Sequence, residues 1–281
     1  FVCLDSEYEQ IHFIGKDILY FHALFWPAIL HFAGYRTPTS IFAHGFLTVN
    51  GKKMSKSKGT FVTAQQFLKC DINPDYLRYY FACKLNGSME DIDLNISEFC
   101  QKVNSDLVGK FINIQSRCSK FLLEHFEGHV LPKETIMEIN SQGLAIESTI
   151  KAKSDEIKAL YLTRNTAQAI RDIMLLVDQV NQYFQEKKPW EMIKSSGVET
   201  AAGKNYLHSV LSVAIRSFGA LTILLKPVIP DTCKKIERDV FCDLEPLTWN
   251  DLESIQIKKI KKVNHLLVRI KHENVTAMMG E

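Results

Sequence analysis

Two short apolar runs separated by one helix-length apolar segment set the tightest limit on how this chain can fold. The first, Ile11-His12-Phe13-Ile14, ends at Gly15; the second occupies residues 41–49. Runs of this length bounded by turn residues read as buried strands. Between them come Lys16-Asp17 and an apolar segment that reaches Phe32, read as a helix over residues 18–33. The pattern predicts a β-α-β crossover with parallel strands. In open sheets of this kind, ligands settle beyond the carboxyl ends of the strands. Gly15, Lys16 and Asp17 fall near one such end, His44 and Gly45 near the other. Gly15 admits close approach to the backbone, and Asp17 offers acceptors to a ribose. Asp is equally a residue that opens a helix.

Asn50-Gly51 follows the second run and signals a tight turn, because both residues tolerate positive φ. Next comes Lys52-Lys53-Met54-Ser55-Lys56-Ser57-Lys58-Gly59, with four lysines in seven positions. Cations, hydroxyls and backbone N–H groups crowded into one small volume suit a polyphosphate. A merely solvated lysine-rich loop is the plain alternative.

Residues 61–98 read as short mixed elements. Asn73-Pro74-Asp75 is helix-start chemistry, and the aromatic cluster Tyr76-Leu77-Arg78-Tyr79-Tyr80-Phe81 reads as core. Glu90-Asp91-Ile92-Asp93-Leu94 reads as an acidic turn or linker. From Ser97 onward the periodicity turns helical: Phe99, Val103, Leu107, Phe111, Ile114 and Phe121 mark one helix. After a polar interval over 128–155, Ile157 to Phe184 mark a second long one. Lys187-Lys188-Pro189-Trp190 breaks it, and a further helix over about 205–226 stops before Pro227. This is a helix bundle, not a second α/β domain. Past residue 250, Lys258, Lys259, Lys261 and Lys262 suggest a solvated helix face or linker.

The totals exclude several classes. With 281 residues, 46% hydrophobic and 23% charged, the chain buries a real core and has room for about two domains. A net charge of +2 means that any nucleic-acid contact must come from local patches. Cys3, Cys70, Cys83, Cys100, Cys118, Cys233 and Cys242 are odd in number and scattered, with no C-x-x-C pair. They suggest neither a zinc knuckle nor a disulfide framework, and fit reduced thiols in a cytoplasmic protein. No signal peptide opens the chain, and the segment 18–33, read as the most apolar helix, is interrupted by His22, Pro27 and His31. No membrane span is expected.

Lys53-Met54-Ser55-Lys56-Ser57 is the KMSKS signature of class I aminoacyl-tRNA synthetases. Phe13-Ile14-Gly15-Lys16-Asp17-Ile18, Phe25-Trp26-Pro27-Ala28 and the run from His44 to Gly51 resemble the methionyl-tRNA synthetase family, bacterial type. The resemblance runs through nearly the whole chain. It implies an α/β plus all-α fold: the second half of a Rossmann-like catalytic domain, then an anticodon-binding helix bundle. The corresponding divisions are 1–60 for the catalytic half, 61–98 for a connecting, stem-contact segment, 99–250 for the bundle and 251–281 for a C-terminal helix or linker. The implied activity is ATP-dependent formation of methionyl-adenylate and transfer of methionine to tRNA(Met), initiator and elongator.

By the same resemblance, Lys56 and Lys53 are the catalytic cations. ATP is bound by Gly15, Asp17, His44, Leu47, Lys53, Met54, Ser55, Lys56 and Ser57, methionine by Ile18 and His22, and the anticodon by Asn113, Arg117 and Trp190. Ile18 and His22, like Asn113 and Arg117, lie four apart and would share a helix face; an exposed Trp190 would stack on a base. Read without the family, His22 is a core histidine and the Asn/Arg pair a solvated face. ATP with Mg2+ is the implied cofactor, and the family allows zinc in an inserted domain and a homodimer for the whole protein. The upstream HIGH motif and that inserted domain have no counterpart in these residues, and the chain opens Phe1-Val2-Cys3-Leu4 without a methionine. It therefore reads as a fragment, unable alone to form the adenylate. A non-catalytic tRNA-binding module derived from a synthetase is the rival reading; intact Lys53 and Lys56 weigh against it.

Overall fold

The computed structural model describes residues 5–54, 62–194, 200–242, 245–263 and 265–276. Strand β1 (Ile11–Gly15) pairs in parallel with β2 (Ser40–His44), from Ile11↔Ser40 to Gly15↔His44. The segment between them is helical, as the apolar run predicts, but not uniformly so. A 3-10 turn, Lys16–Ile18, leads into a π-helical stretch, Phe21–Phe25, and then into α1 (Trp26–Phe32). Pro27 lacks the N–H that an α-helix would present to the carbonyl four residues earlier, and its ring crowds that carbonyl. The turn just upstream widens accordingly.

Residues 41–49 form two strands instead of the expected one. After β2 the chain turns at Gly45-Phe46, then continues as β3 (Leu47–Val49) in a different sheet, of order β4-β3-β5. The cause is the chain from the far side of that sheet. A Cβ on Gly45 would lie 2.1 Å from the Glu90 carbonyl oxygen, so only glycine fits there. The Ile92 N–H donates to the Phe46 carbonyl (2.8 Å), and the Phe46 N–H donates to Asp91 Oδ1 (2.7 Å). Asn50 (φ 48°) and Gly51 (φ 74°) make the expected turn into β4 (Lys52–Lys53), which pairs antiparallel with β3.

Helix α2 (Ala64–Lys69) begins with a capping box between Thr63 and Gln66, and α3 (Pro74–Ala82) is capped by Asn73. Tyr76, Tyr79 and Tyr80 are buried, as a core cluster requires. The acidic stretch after α3 differs from its reading as a turn or linker: Ile92–Leu94 is strand β5, parallel to β3. Alternation of Asp91, Ile92, Asp93 and Leu94 is the period-2 pattern that its acidity masked.

Helix α4 (Ile96–Lys102), a π-helical stretch Val103–Phe111 and α5 (Ile112–Phe126) then form one continuous helical segment. The polar interval 128–155 is largely helical too, as α6 (Lys133–Asn140) and the start of α7 (Leu144–Leu162). Sparse anchors, Ile136, Leu144 and Ile150, suffice to bury one narrow face. The expected second long helix is likewise two, α7 and α8 (Thr166–Lys187). Arg164 (φ 64°) breaks the chain between them and Asn165 caps α8. Lys188 (φ 45°) ends α8, and Pro189 opens α9 (Pro189–Lys194).

Helix α10 (Ala201–Leu225) packs against α5, α6, α7 and α8. Among the described residues it, and not the segment 18–33, is the apolar helix with the length and composition to cross a membrane, at a mean hydropathy of 1.5 over its most apolar window. Ninety-four per cent of that window is buried inside the protein, which is the position of a central core helix. Its one buried charge, Arg216, bonds Glu147 of α7 (2.8 and 3.1 Å) and the Ile255 carbonyl (2.7 Å). Helix α11 (Pro230–Asp239) follows.

The stretch past 250 is not the expected basic helix or linker. Beyond a 3-10 turn, Trp249–Glu253, its described residues are mostly irregular, with isolated bridges at Lys259 and Ile260, before the short α12 (His272–Thr276). Ile255, Ile257, Ile260, Leu266, Leu267 and Ile270 are buried against the bundle while Gln256, Lys258, Lys261 and Lys262 are exposed. Tyr76 and Asn104 pin it by bonding both amide groups of Val268 and Ile270, respectively. One continuous core runs from Val49 in β3 through the bundle to Val275.

Candidate functional site

Because β1 and β2 are parallel and Gly15 pairs with His44, the residues expected near a nucleotide gather at one end of the two-stranded sheet. Asp17, Ile18 and His44 are exposed there; His22 and Leu47 are half-buried. A Cβ on Gly15 would stand 2.6 Å from Asp17 Oδ1, so glycine lets that carboxylate lie against the backbone. His22 Nδ1 lies 3.1 Å from the Ile18 carbonyl oxygen, which keeps these two residues a turn apart although the helix between them is irregular. His44 and Leu47 line a groove of about 740 Å³ together with Phe13, Phe42, Phe46 and Arg164; Gly15, Asp17, Ile18 and His22 lie outside its lining. The Arg164 guanidinium sits 3.3 Å from the Phe42 ring centroid.

The hairpin β3–β4 brings its lysines to the same region. Lys53 Nζ lies 5.6 Å from the centroid of Phe46, and Lys16 Nζ lies 4.9 Å from it, so one aromatic ring joins the two strand ends to the hairpin. Lys16 also pairs with Asp91 at 2.7 Å. The Lys16 ammonium and the Phe46 amide hold the Asp91 carboxyl below the usual carboxylate range. Met54 is half-buried and packs on the main core, anchoring the far side of the hairpin. Ser55, Lys56 and Ser57 lie outside the described residues. Sequence reasoning placed Lys16 near a strand end but gave no role to it, nor to Phe46, Asp91 or Asp93. The period-2 alternation at 91–94 was the available signal for the last two.

A second cluster forms on the bundle. Asn113 and Arg117 sit on one face of α5, both half-buried. The Arg117 guanidinium lies 4.7 Å from the ring centroid of Phe184 and 5.2 Å from that of Trp190, and donates to Gln185 Oε1 (3.3 Å). Trp190 is not the exposed ring expected; it is half-buried, 6.1 Å from Phe184 centroid to centroid. The break at Lys188-Pro189 folds α9 back so that Trp190 reaches Arg117. Among the described residues, Asn113 makes no side-chain hydrogen bond within the protein. Also among the described residues, no three His, Cys, Asp or Glu side chains converge as a metal-ligand set.

Known proteins resemble this chain over nearly its whole length. The sequence model of the family "tRNA synthetases class I (M)" matches residues 1–119. Residues 1–119 thus carry the sequence pattern of the class I tRNA synthetases. Over nearly its whole length the chain is similar to methionyl-tRNA synthetases. It is 49% identical over 276 residues to the methionine–tRNA ligase of Thiobacillus denitrificans and 48% identical over 272 residues to that of Neisseria gonorrhoeae. These alignments cover 98% and 96% of this chain, which spans 38% of the length of each relative. Among solved structures, Mycobacterium tuberculosis methionyl-tRNA synthetase in complex with methionyl-adenylate superposes with a TM-score of 0.79 at 26% identity, over 93% of this chain and 52% of that one. The expected architecture, part of a class I synthetase catalytic fold followed by a helix bundle, is the one observed.

Proposed function

We propose that this chain supplies the lysine hairpin and the anticodon-reading bundle of a cytoplasmic methionine–tRNA ligase. Residues 1–60 contribute to the adenylate-forming site, 61–98 connect it to the bundle over 99–250, and the described part of 251–281 packs on the connecting segment and the bundle. In the first reaction, a carboxylate oxygen of methionine attacks the α-phosphorus of ATP, brought in with Mg2+. The bond to the bridging oxygen breaks, and pyrophosphate leaves with its electron pair. A terminal ribose hydroxyl of tRNA(Met) then attacks the acyl carbon and AMP departs.

Negative charge grows on the α-phosphate and the departing pyrophosphate, and pre-aimed cations lower that barrier. Lys56 is the principal cation and Lys53 its neighbour; Gly15, Asp17, His44 and Leu47 flank the adenosine, with Met54, Ser55 and Ser57 shaping the loop. Ile18 and His22 border the methionine. The observation that carries this reading is the convergence of the hairpin and both strand ends on Phe46. On the bundle, the Asn113 amide and Arg117 guanidinium read base edges of the CAU anticodon, and Trp190 offers a ring to stack on.

The test is methionine-dependent ATP–pyrophosphate exchange by the complete protein that carries this sequence. Lys56→Ala should lower the rate about 10²–10³-fold, as removal of one such donor does, with ATP affinity nearly unchanged. Equal losses in rate and affinity would show that Lys56 only binds the ground state. The 281-residue chain by itself should give no exchange above that Lys56→Ala background; turnover by it alone would contradict the assignment of the remaining catalytic groups to other residues.

A further inference from the structure

The turn that opens the lysine hairpin is held by one carboxylate that the reaction chemistry does not call for. Asp93 is the register partner of Thr48 across the parallel β3–β5 pair. Its Oδ1 accepts the Thr48 hydroxyl (2.7 Å) and the Gly51 N–H (2.7 Å), so a single oxygen ties the end of β3 to the far side of the Asn50-Gly51 turn. Asn50 completes the clamp: its N–H donates to the Leu94 carbonyl (3.1 Å), and its Oδ1 accepts the Ile96 N–H (3.1 Å) at the start of α4. The Tyr80 hydroxyl holds the same strand from behind, through the Asp93 carbonyl (3.1 Å) and the Asn95 N–H (3.2 Å).

Two-residue turns fix hairpin register, and a slip by one residue would turn Lys53 to the opposite face. β4 is only two residues long and, among the described residues, pairs with β3 alone, so its own ladder is a weak guide to that register. The bonds to Asp93 and Asn50 supply what the ladder lacks. We propose that Asp93 is a positioning residue for methionyl-adenylate formation: by fixing Thr48 and Gly51 it sets where Lys53 stands beside Phe46. It acts as an acceptor of two hydrogen bonds, not as a charge directed at substrate. This inference rests on the reading of the hairpin as part of an adenylate-forming site.

The experiment is methionine-dependent ATP–pyrophosphate exchange by the complete protein with wild-type sequence, Asp93→Ala, Asp93→Asn and Thr48→Val, alongside thermal unfolding of each. Displacing a reacting cation by about 1 Å costs on the order of 10²-fold, so Asp93→Ala should lower kcat about 10–100-fold while KM for ATP and for methionine moves by less than about threefold. Asp93→Asn keeps an oxygen that accepts both bonds, and should stay within about fivefold of wild type. Thr48→Val removes one of the two bonds and should fall between them. If Asp93→Asn were as slow as Asp93→Ala at unchanged unfolding temperature, Asp93 would act through its charge, and the proposal would be overturned. It would be overturned equally by an Asp93→Ala loss confined to KM or to folding. Absence of exchange in the wild type would instead refute the underlying assignment of the site.

Discussion

Arg117 lies between two aromatic rings that reach it from different helices, Phe184 in α8 at 4.7 Å and Trp190 in α9 at 5.2 Å. The guanidinium is thereby ordered before any partner arrives, with Gln185 holding one of its nitrogens. Pre-ordering lowers the entropy lost on binding. Replacing Arg117 by Lys keeps the charge but loses the flat stacking group and the fork of donors. Arg117→Lys should therefore lose most discrimination among anticodon bases while the bundle remains folded, measured as the ratio of tRNA dissociation constants at fixed salt. An unchanged ratio would show that Arg117 contributes only charge.

Arg216 and Glu147 form a nearly buried ion pair within the bundle, at 3% and 13% side-chain exposure. Removing one partner strands the other in a poorly solvated place. Arg216→Ala should destabilise the chain by about 3–5 kcal/mol, and Arg216→Met with Glu147→Leu should recover much of that. Chemical denaturation of the three variants decides it. Equal destabilisation by the single and the double change would assign the effect to lost packing.

Gly45 is required by contact, not by φ. Its missing Cβ leaves room for the Glu90 carbonyl, 2.1 Å from where that atom would stand. Gly45→Ala should push β5 away from the Gly45-Phe46 corner and cost about 1–3 kcal/mol, as overpacking does. Hydrogen exchange at the Phe46 and Ile92 amides should speed up. Unaltered protection at both would mean that the corner absorbs the methyl group.

His208 stacks on Phe126 at 4.0 Å between centroids and 11° between planes, with Nε2 against the His129 carbonyl (2.8 Å). Burial, the largest cause, lowers its pKa from the ordinary 6.5. A histidine with a lowered folded-state pKa binds protons more readily in the unfolded chain. Its contribution to stability is present above pH 6.5 and is lost as pH falls from there through the folded-state value. Unfolding free energy should decline over that window, and His208→Gln should flatten the decline. A profile unchanged by the substitution would place the titration elsewhere.

Much of the layout was legible in sequence because local and global signals agreed. The alternating β-α-β run, the Asn50-Gly51 turn and the Lys188-Pro189 break each carry their own backbone chemistry, and each lies where the fold needs it. What escaped was structure settled by distant contacts. Nothing near residue 45 announces that Glu90 will split a strand there, and the acidity of 90–94 concealed a strand whose carboxylates bind backbone amides. Ile255 and Ile257 read as part of a basic tail because their period of two is short and lysine-rich. In the site, the spacing of Asn113 and Arg117 was visible on one helix. The rings that hold Arg117 come from beyond a chain reversal, and no spacing predicts them.

The most direct measurement is binding of this chain to initiator tRNA with its CAU anticodon, against the same tRNA with one anticodon base changed. Fixed salt is needed, because phosphate contacts alone would otherwise dominate both. The account predicts a clear preference for CAU that Trp190→Ala reduces by about 1–3 kcal/mol, the worth of one stacked base. Equal binding of the two tRNAs by the folded chain would contradict it.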